Sequence, residues 1–118
     1  MLNQVTLVGR LAREPELKTL ESGKKVCEIT LAVPRNYKNE KGEYETDFID
    51  CTLWNSVAQN TVDYCQVGDI VGVHGKVHMY KYVKDEHTYS AMKVNTERVT
   101  FLSQSRENKE KKAEEQER

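Results

Sequence analysis

Residues 46–54 read Thr-Asp-Phe-Ile-Asp-Cys-Thr-Leu-Trp and alternate strictly. In an extended strand, Ile49, Cys51 and Leu53 point one way, and Phe48, Asp50, Thr52 and Trp54 point the other. The first set can fill a core. The second is a polar face that carries two large aromatics, and such a face suits a flat partner that stacks, such as an unpaired base.

The same oddity recurs downstream. Over residues 70–82 the alternation sends Val71, Val73, Val77 and Met79 inward and His74, Lys76, His78, Tyr80 and Tyr82 outward. Tyr37, between Arg35 and Lys38, opens a polar arm. Aromatic planes interleaved with cations are what a nucleic acid single strand requires. Each base offers a π-face, worth about 1–3 kcal/mol per stack in known single-strand binders, and each phosphate offers a charge. Neither contact reads base identity, so recognition is expected to be sequence-tolerant. One outward aromatic could equally pack beneath a loop, against the tail or in a subunit interface. Four or five on neighbouring strands, with cations beside them, favour a ligand surface.

Other chemistries are less well served. His74 and His78 share a strand face, but no third metal ligand is placed beside them. Asp47 and Asp50 fall on opposite faces of a regular strand, a poor arrangement for a two-metal nuclease built on Asp47, Asp50 and His78. Ser22-Gly23-Lys24-Lys25 lacks the strand, spacing and helix of a phosphate-binding loop and reads as a turn. Cys27, Cys51 and Cys65 are odd in number, contain no CxxC pair, and suit buried positions in a reducing compartment. No catalytic residue, metal or cofactor is expected.

The elements that must position these side chains follow from periodicity. Residues 3–11 alternate, with Val5, Leu7, Gly9 and Leu11 inward and Thr6, Val8 and Arg10 outward. Pro15 and Ser22-Gly23 bound a connecting loop. Residues 26–33 form a second strand with Cys27, Ile29, Leu31 and Val33 inward, and Pro34 is expected to end it by removing a donor. Residues 35–45 read as a hairpin arm turning at Lys41-Gly42. The period then changes: Val57, Ala58, Thr61, Val62 and Cys65 mark one helix face, with Asn55 or Ser56 expected as the N-cap and Gly68 as the C-terminal cap. Residues 84–87 form a loop, and residues 88–101 a last strand bent near Asn95. Three strands, one helix and two strands make the pattern of an all-β, five-stranded OB-fold barrel with one helix between strands 3 and 4. Curvature accounts for Gly9, Gly72 and Gly75 inside strands.

The chain has 118 residues, 18 Lys+Arg and 19 Asp+Glu, for a net charge of −1. A single domain is expected over residues 1–102. Residues 103–118 hold one apolar side chain, Ala113, and read as a solvated, disordered tail. Five cations and five carboxylates fall in the tail, so the globular part stays near neutral. Any basic surface must therefore arise from sorting charges between faces. There is no signal-like segment and no apolar run of membrane-spanning length, so a cytoplasmic location without a membrane is expected.

Several segments in series resemble the bacterial single-stranded DNA-binding proteins over residues 2 to about 102. They are Leu2-Asn3-Gln4-Val5-Thr6-Leu7-Val8-Gly9-Arg10-Leu11 with Glu14-Pro15-Glu16-Leu17, Ile29-Thr30-Leu31-Ala32-Val33, Asp47-Phe48-Ile49-Asp50-Cys51 with Leu53-Trp54, and Val67-Gly68-Asp69 with Val73-His74-Gly75-Lys76. The resemblance implies base stacking on Tyr37, Phe48, Trp54 and Tyr82. It also implies a homotetramer that wraps single-stranded DNA, is nucleoid-associated, and serves replication, recombination and repair. With the pattern it yields a nucleic-acid-binding set of Tyr37, Phe48, Trp54, Tyr82, Tyr80, Arg10, Lys18, Arg35, Lys38, Lys76 and Lys81. The chain departs from the family in two ways. Asp50, Ser56 and Val67 stand where many members carry Lys or Arg, which predicts a shallow salt dependence. The family's acidic C-terminal tip is absent, so no tip-mediated protein recruitment is expected. An alternative within the same fold is a dimeric primosome component that acts mainly through protein contacts.

Overall fold

The computed structural model describes residues 1–103. The tail expected over 103–118 lies, Ser103 apart, outside the described residues. Six strands and one helix follow in order: β1 Val5–Leu11, β2 Leu17–Thr19, β3 Lys25–Lys38, β4 Tyr44–Trp54, α1 Asn55–Tyr64, β5 Ile70–Lys84 and β6 His87–Ser103. β2 is a three-residue strip inside the expected connecting loop, so the five long strands and the helix between the third and fourth of them match the OB pattern. The sheet runs β1-β5-β6-β4-β3-β2, and a β1–β3 pairing through Arg10 and Leu11 closes it into a barrel. All pairings are antiparallel except β4–β6, which is parallel at Cys51 and Thr52.

Alternation produces the core directly. Leu11, Cys27, Ile29, Leu31, Cys51, Leu53, Val71, Val73 and Val94 are buried, and Ala58 of α1 plugs the same cluster. Burial pushes the Cys51 thiol up to about 12, with the charges of Asp50 and Glu28 adding to the effect, so this cysteine is an inert hydrophobe.

Four local expectations are corrected. Pro34 does not end its strand. β3 runs on to Lys38, and the register with β4 shifts between Pro34 and Lys38, so the missing donor falls at an irregularity that tolerates it. Neither Asn55 nor Ser56 caps the helix. Trp54 occupies the N-cap without a side-chain bond, and the Asn55 side-chain Oδ1 instead accepts the Lys25 backbone N–H at 3.2 Å. The helix ends at Cys65, whose N–H donates to the Thr61 carbonyl. Gly68 instead serves a turn: its positive φ of 93° lets its amide reach the Leu11 carbonyl at 2.9 Å.

The fourth correction concerns β5 and β6. They pair as far as Lys84↔His87, well beyond the barrel, and form a two-stranded ribbon with both faces in solvent. Met79 is consequently 64% exposed although its phase points inward. The ribbon closes through Asp85 and Glu86, both at positive φ (51° and 67°), the signature of a two-residue hairpin turn. The bend expected near Asn95 corresponds to a bulge: His74↔Arg98 is followed by Gly75↔Thr96, which leaves Glu97 as the extra residue.

Candidate nucleic-acid interface

Cross-strand register places the outward aromatics in rows. Directly opposed residues share a sheet face. Arg10 opposes Ala32, and Ala32 opposes Phe48. Lys18 opposes Val26, and Val26 opposes Trp54. Each aromatic of β4 thus looks across one small or apolar β3 residue to a cation two strands away, about 10 Å in sheet spacing. Phe48 and Trp54 lie six residues apart on one strand face, about 20 Å. Phe48 is 67% and Trp54 37% exposed.

Trp54 and Tyr80 line a common groove of about 330 Å³ with Glu28, Thr52, His78, Lys93 and Asn95. From Tyr80 a row of rings continues along the ribbon. The Tyr80 and Tyr82 centroids are 6.3 Å apart, Tyr82 stacks on Tyr89 at 5.5 Å with a 24° interplanar angle, and His87 meets Tyr89 edge-on at 6.4 Å. Tyr89 and Lys93 extend the surface beyond the residues singled out by sequence. The signal that could have found them is the phase of β6, where Tyr89 and Lys93 sit opposite Tyr82 and His78.

The cations differ in availability. Arg35 is committed within the protein: its Nε and Nη2 donate to the two Asp47 carboxylate oxygens at 3.1 and 3.0 Å, and its Nη1 to Glu45 at 2.7 Å. Hydrogen bonding to Arg35 holds the Asp47 carboxyl below its ordinary range, and the same bonds hold the Arg35 guanidinium above its own. Lys76 faces Glu97 at 3.5 Å. Lys38 extends its ammonium over the Tyr44 ring at 5.7 Å, on the outer arm that also holds the exposed Tyr37. Arg10 donates to the Gly68 carbonyl at 3.0 Å and braces the turn before β5. Lys81 pairs with Ser90 and alternates with Tyr80 and Tyr82, so it belongs to the opposite ribbon face with Met79 and Val83.

Asp47 and Asp50 are each held by other partners. Asp47 is engaged by Arg35, while Asp50 accepts the Thr30 hydroxyl at 2.8 Å on the outer face. Among the described residues no group of three or more His, Cys, Asp or Glu could hold a metal ion. Among them, too, no helix is long and apolar enough to cross a membrane.

A barrel of this topology with a ringed outer face narrows the field, and comparison with known proteins decides it. The family model described as the single-strand binding protein family matches residues 2–102. The chain belongs to that family. It is 48% identical over 86 residues to single-stranded DNA-binding protein B of Bacillus subtilis, covering 73% of this chain and 76% of that one. It is 42% identical over 103 residues to the single-stranded DNA-binding protein of Halalkalibacterium halodurans, covering 86% of this chain and 61% of that one. The second match, like several others, thus spans less than two thirds of the relative's length. A solved deletion mutant of the single-stranded DNA binding protein from Thermus aquaticus superposes with a TM-score of 0.71 at 24% identity, over 86% of this chain and 51% of that one, and supports the fold.

Proposed function

We propose that this chain binds and protects single-stranded DNA without base selectivity and without catalysis. It would act as a cytoplasmic, nucleoid-associated protein in replication, recombination and repair. The observation that carries this reading is the pair of register rows in which Phe48 and Trp54 each face a cation across β3. Bases stack on Tyr37, Phe48, Trp54, Tyr80 and Tyr82, and Arg10, Lys18, Lys38 and Lys76 track the phosphates. Arg35 and Lys81 are the weakest members of the set, one being neutralised and the other turned away. The names of the relatives point the same way.

A homotetramer is part of the same proposal. β1 pairs with β3 only through Arg10 and Leu11, so residues 5–9 keep one edge open within the chain, and Val8 on that strand is 53% exposed. An open edge beside apolar surface favours association with a second copy. Light scattering distinguishes a tetramer from the dimer of a primosome component.

Titration of Trp54 fluorescence with oligo-dT at two salt concentrations tests the binding. Trp54 is the chain's one tryptophan, so the signal is unambiguous. Quenching that saturates is expected. An unchanged spectrum with DNA shown bound by anisotropy would remove Trp54 from the site, and no binding at low salt would reject the function.

A further inference from the structure

The floor of the groove between Trp54 and Tyr80 holds a charge pair that the proposed function leaves unexplained. Lys93 of β6 places its Nζ 3.1 Å from the Glu28 carboxylate of β3 and 4.8 Å from the centre of the Tyr80 ring. To do so it reaches across β4, where the Thr52 hydroxyl also donates to Glu28 at 3.3 Å. Thr52 is paired with Asn95 in parallel, and two residues back along both strands stand Asp50 and Lys93. Asp50 puts a negative charge on this face, and the positive charge is delivered from the next strand.

A strand whose bases lie on Trp54 and Tyr80 must carry its phosphates past Glu28 and Asp50, which repel them. Lys93 is the group placed to offset that repulsion. Its ammonium has three donors and lies 3.1 Å from both Glu28 carboxylate oxygens and against the Tyr80 face, so a phosphate oxygen that takes a donor competes with Glu28 for it. The Lys93 and Glu28 side chains are 29% and 39% exposed, and a pair this wet is weak and easily exchanged. We propose that Lys93 is a DNA phosphate contact in this groove and that Glu28 holds it in place and competes with the phosphate for it. The inference rests on the proposed single-strand binding and names a residue and a competitor within that site.

The test is an oligo-dT titration across a salt series for the wild type, Glu28→Gln, Lys93→Gln and the double variant, with thermal melts to confirm folding. Glu28→Gln is expected to bind about fivefold more tightly at low salt, the size of a partly exposed ion pair. Lys93→Gln is expected to bind more weakly, with a log–log salt slope shallower by about 0.7, the loss of one phosphate on a single strand. The double variant keeps that shallower slope. If Lys93 serves only to neutralise Glu28, Lys93→Gln keeps the wild-type slope and the double variant recovers wild-type affinity, which would overturn the inference while the wild type still binds. Failure of the wild type to bind would overturn the proposed function and this inference together.

Discussion

Tyr82 and Tyr89 oppose each other across the β5–β6 ladder with their rings stacked at 5.5 Å and 24°. Tyr82 therefore does not present an isolated plane: one side of it is buttressed by a partner that the chain supplies. Such pairs contribute about 0.5–1.5 kcal/mol beyond area burial. Tyr82→Ala is expected to weaken oligo-dT binding by about 1–3 kcal/mol, the range known for single-strand binders as a class, this family included. Tyr89→Ala should cost less, because it removes the support and leaves the stacking ring. Isothermal titration of both variants checks the order, and a larger loss at Tyr89 would make it the primary platform.

The Arg35–Asp47 pair has a pH signature. Hydrogen bonds and charge from Arg35 hold the Asp47 carboxyl below its ordinary value of about 3.9 in the folded state. A carboxyl lowered on folding adds stability that is fully present above the unfolded pKa and is lost as pH falls through the folded one. Asp47→Asn is expected to flatten the acid limb of thermal stability below about pH 4, measured as melting midpoints from pH 7 to pH 2.5. An acid limb as steep as the wild type's would show that the exposed pair adds nothing.

The difference between Lys18 and Arg35 shows how far sequence reaches. Alternation alone turns Phe48, Trp54, Tyr80 and Tyr82 outward, since strand phase is a local property. That Lys18 stands in line with Trp54, and Arg10 with Phe48, depends on register between strands far apart in sequence, which no local pattern encodes. Arg35 reads from sequence as a free cation because its partners Glu45 and Asp47 arrive only when the arm folds back. Met79 reads as core because its phase is correct, but β5 and β6 outrun the barrel and leave it nothing to pack on. Pro34 reads as a strand end because the bulge that accommodates it involves both strands.

Asp50 gives the most direct electrostatic test. It shares the outer face of β4 with Phe48 and Trp54, and its Oδ1 is held by Thr30. Asp50→Arg replaces a repelling charge with an attracting one beside the phosphate path. Tighter binding and a slope steeper by about 0.7 per new phosphate contact are expected across a potassium chloride series. Val67→Lys, in the turn beside Gly68, tests whether the path extends beyond the β4 face. Unchanged slopes in both variants would take these positions off the DNA path.

The glycines of β5 separate two uses of the same residue. A methyl group added at Gly75 would run into the Asn95 carbonyl oxygen and sit 3.0 Å from the Thr96 Cα, both backbone atoms that cannot swing away. A methyl group at Gly72 would meet the Leu102 Cδ1 at 3.6 Å and the Thr100 Cβ at 3.8 Å, ordinary packing distances. Gly75 lies at the bulge where β6 carries its extra residue, so its missing side chain lets the two backbones close there. Gly75→Ala is expected to destabilise by about 1–3 kcal/mol through forced backbone displacement. Gly72→Ala should be neutral or slightly stabilising, because the unfolded chain loses freedom at no steric cost. Urea denaturation of the two variants makes the comparison, and equal midpoints would show that the β5–β6 bulge relaxes freely. The displacement at Gly75 should also reach the site, since Asn95 lines the groove beside Trp54. Gly75→Ala is therefore expected to weaken oligo-dT binding even where the protein remains folded, whereas Gly72→Ala leaves it intact.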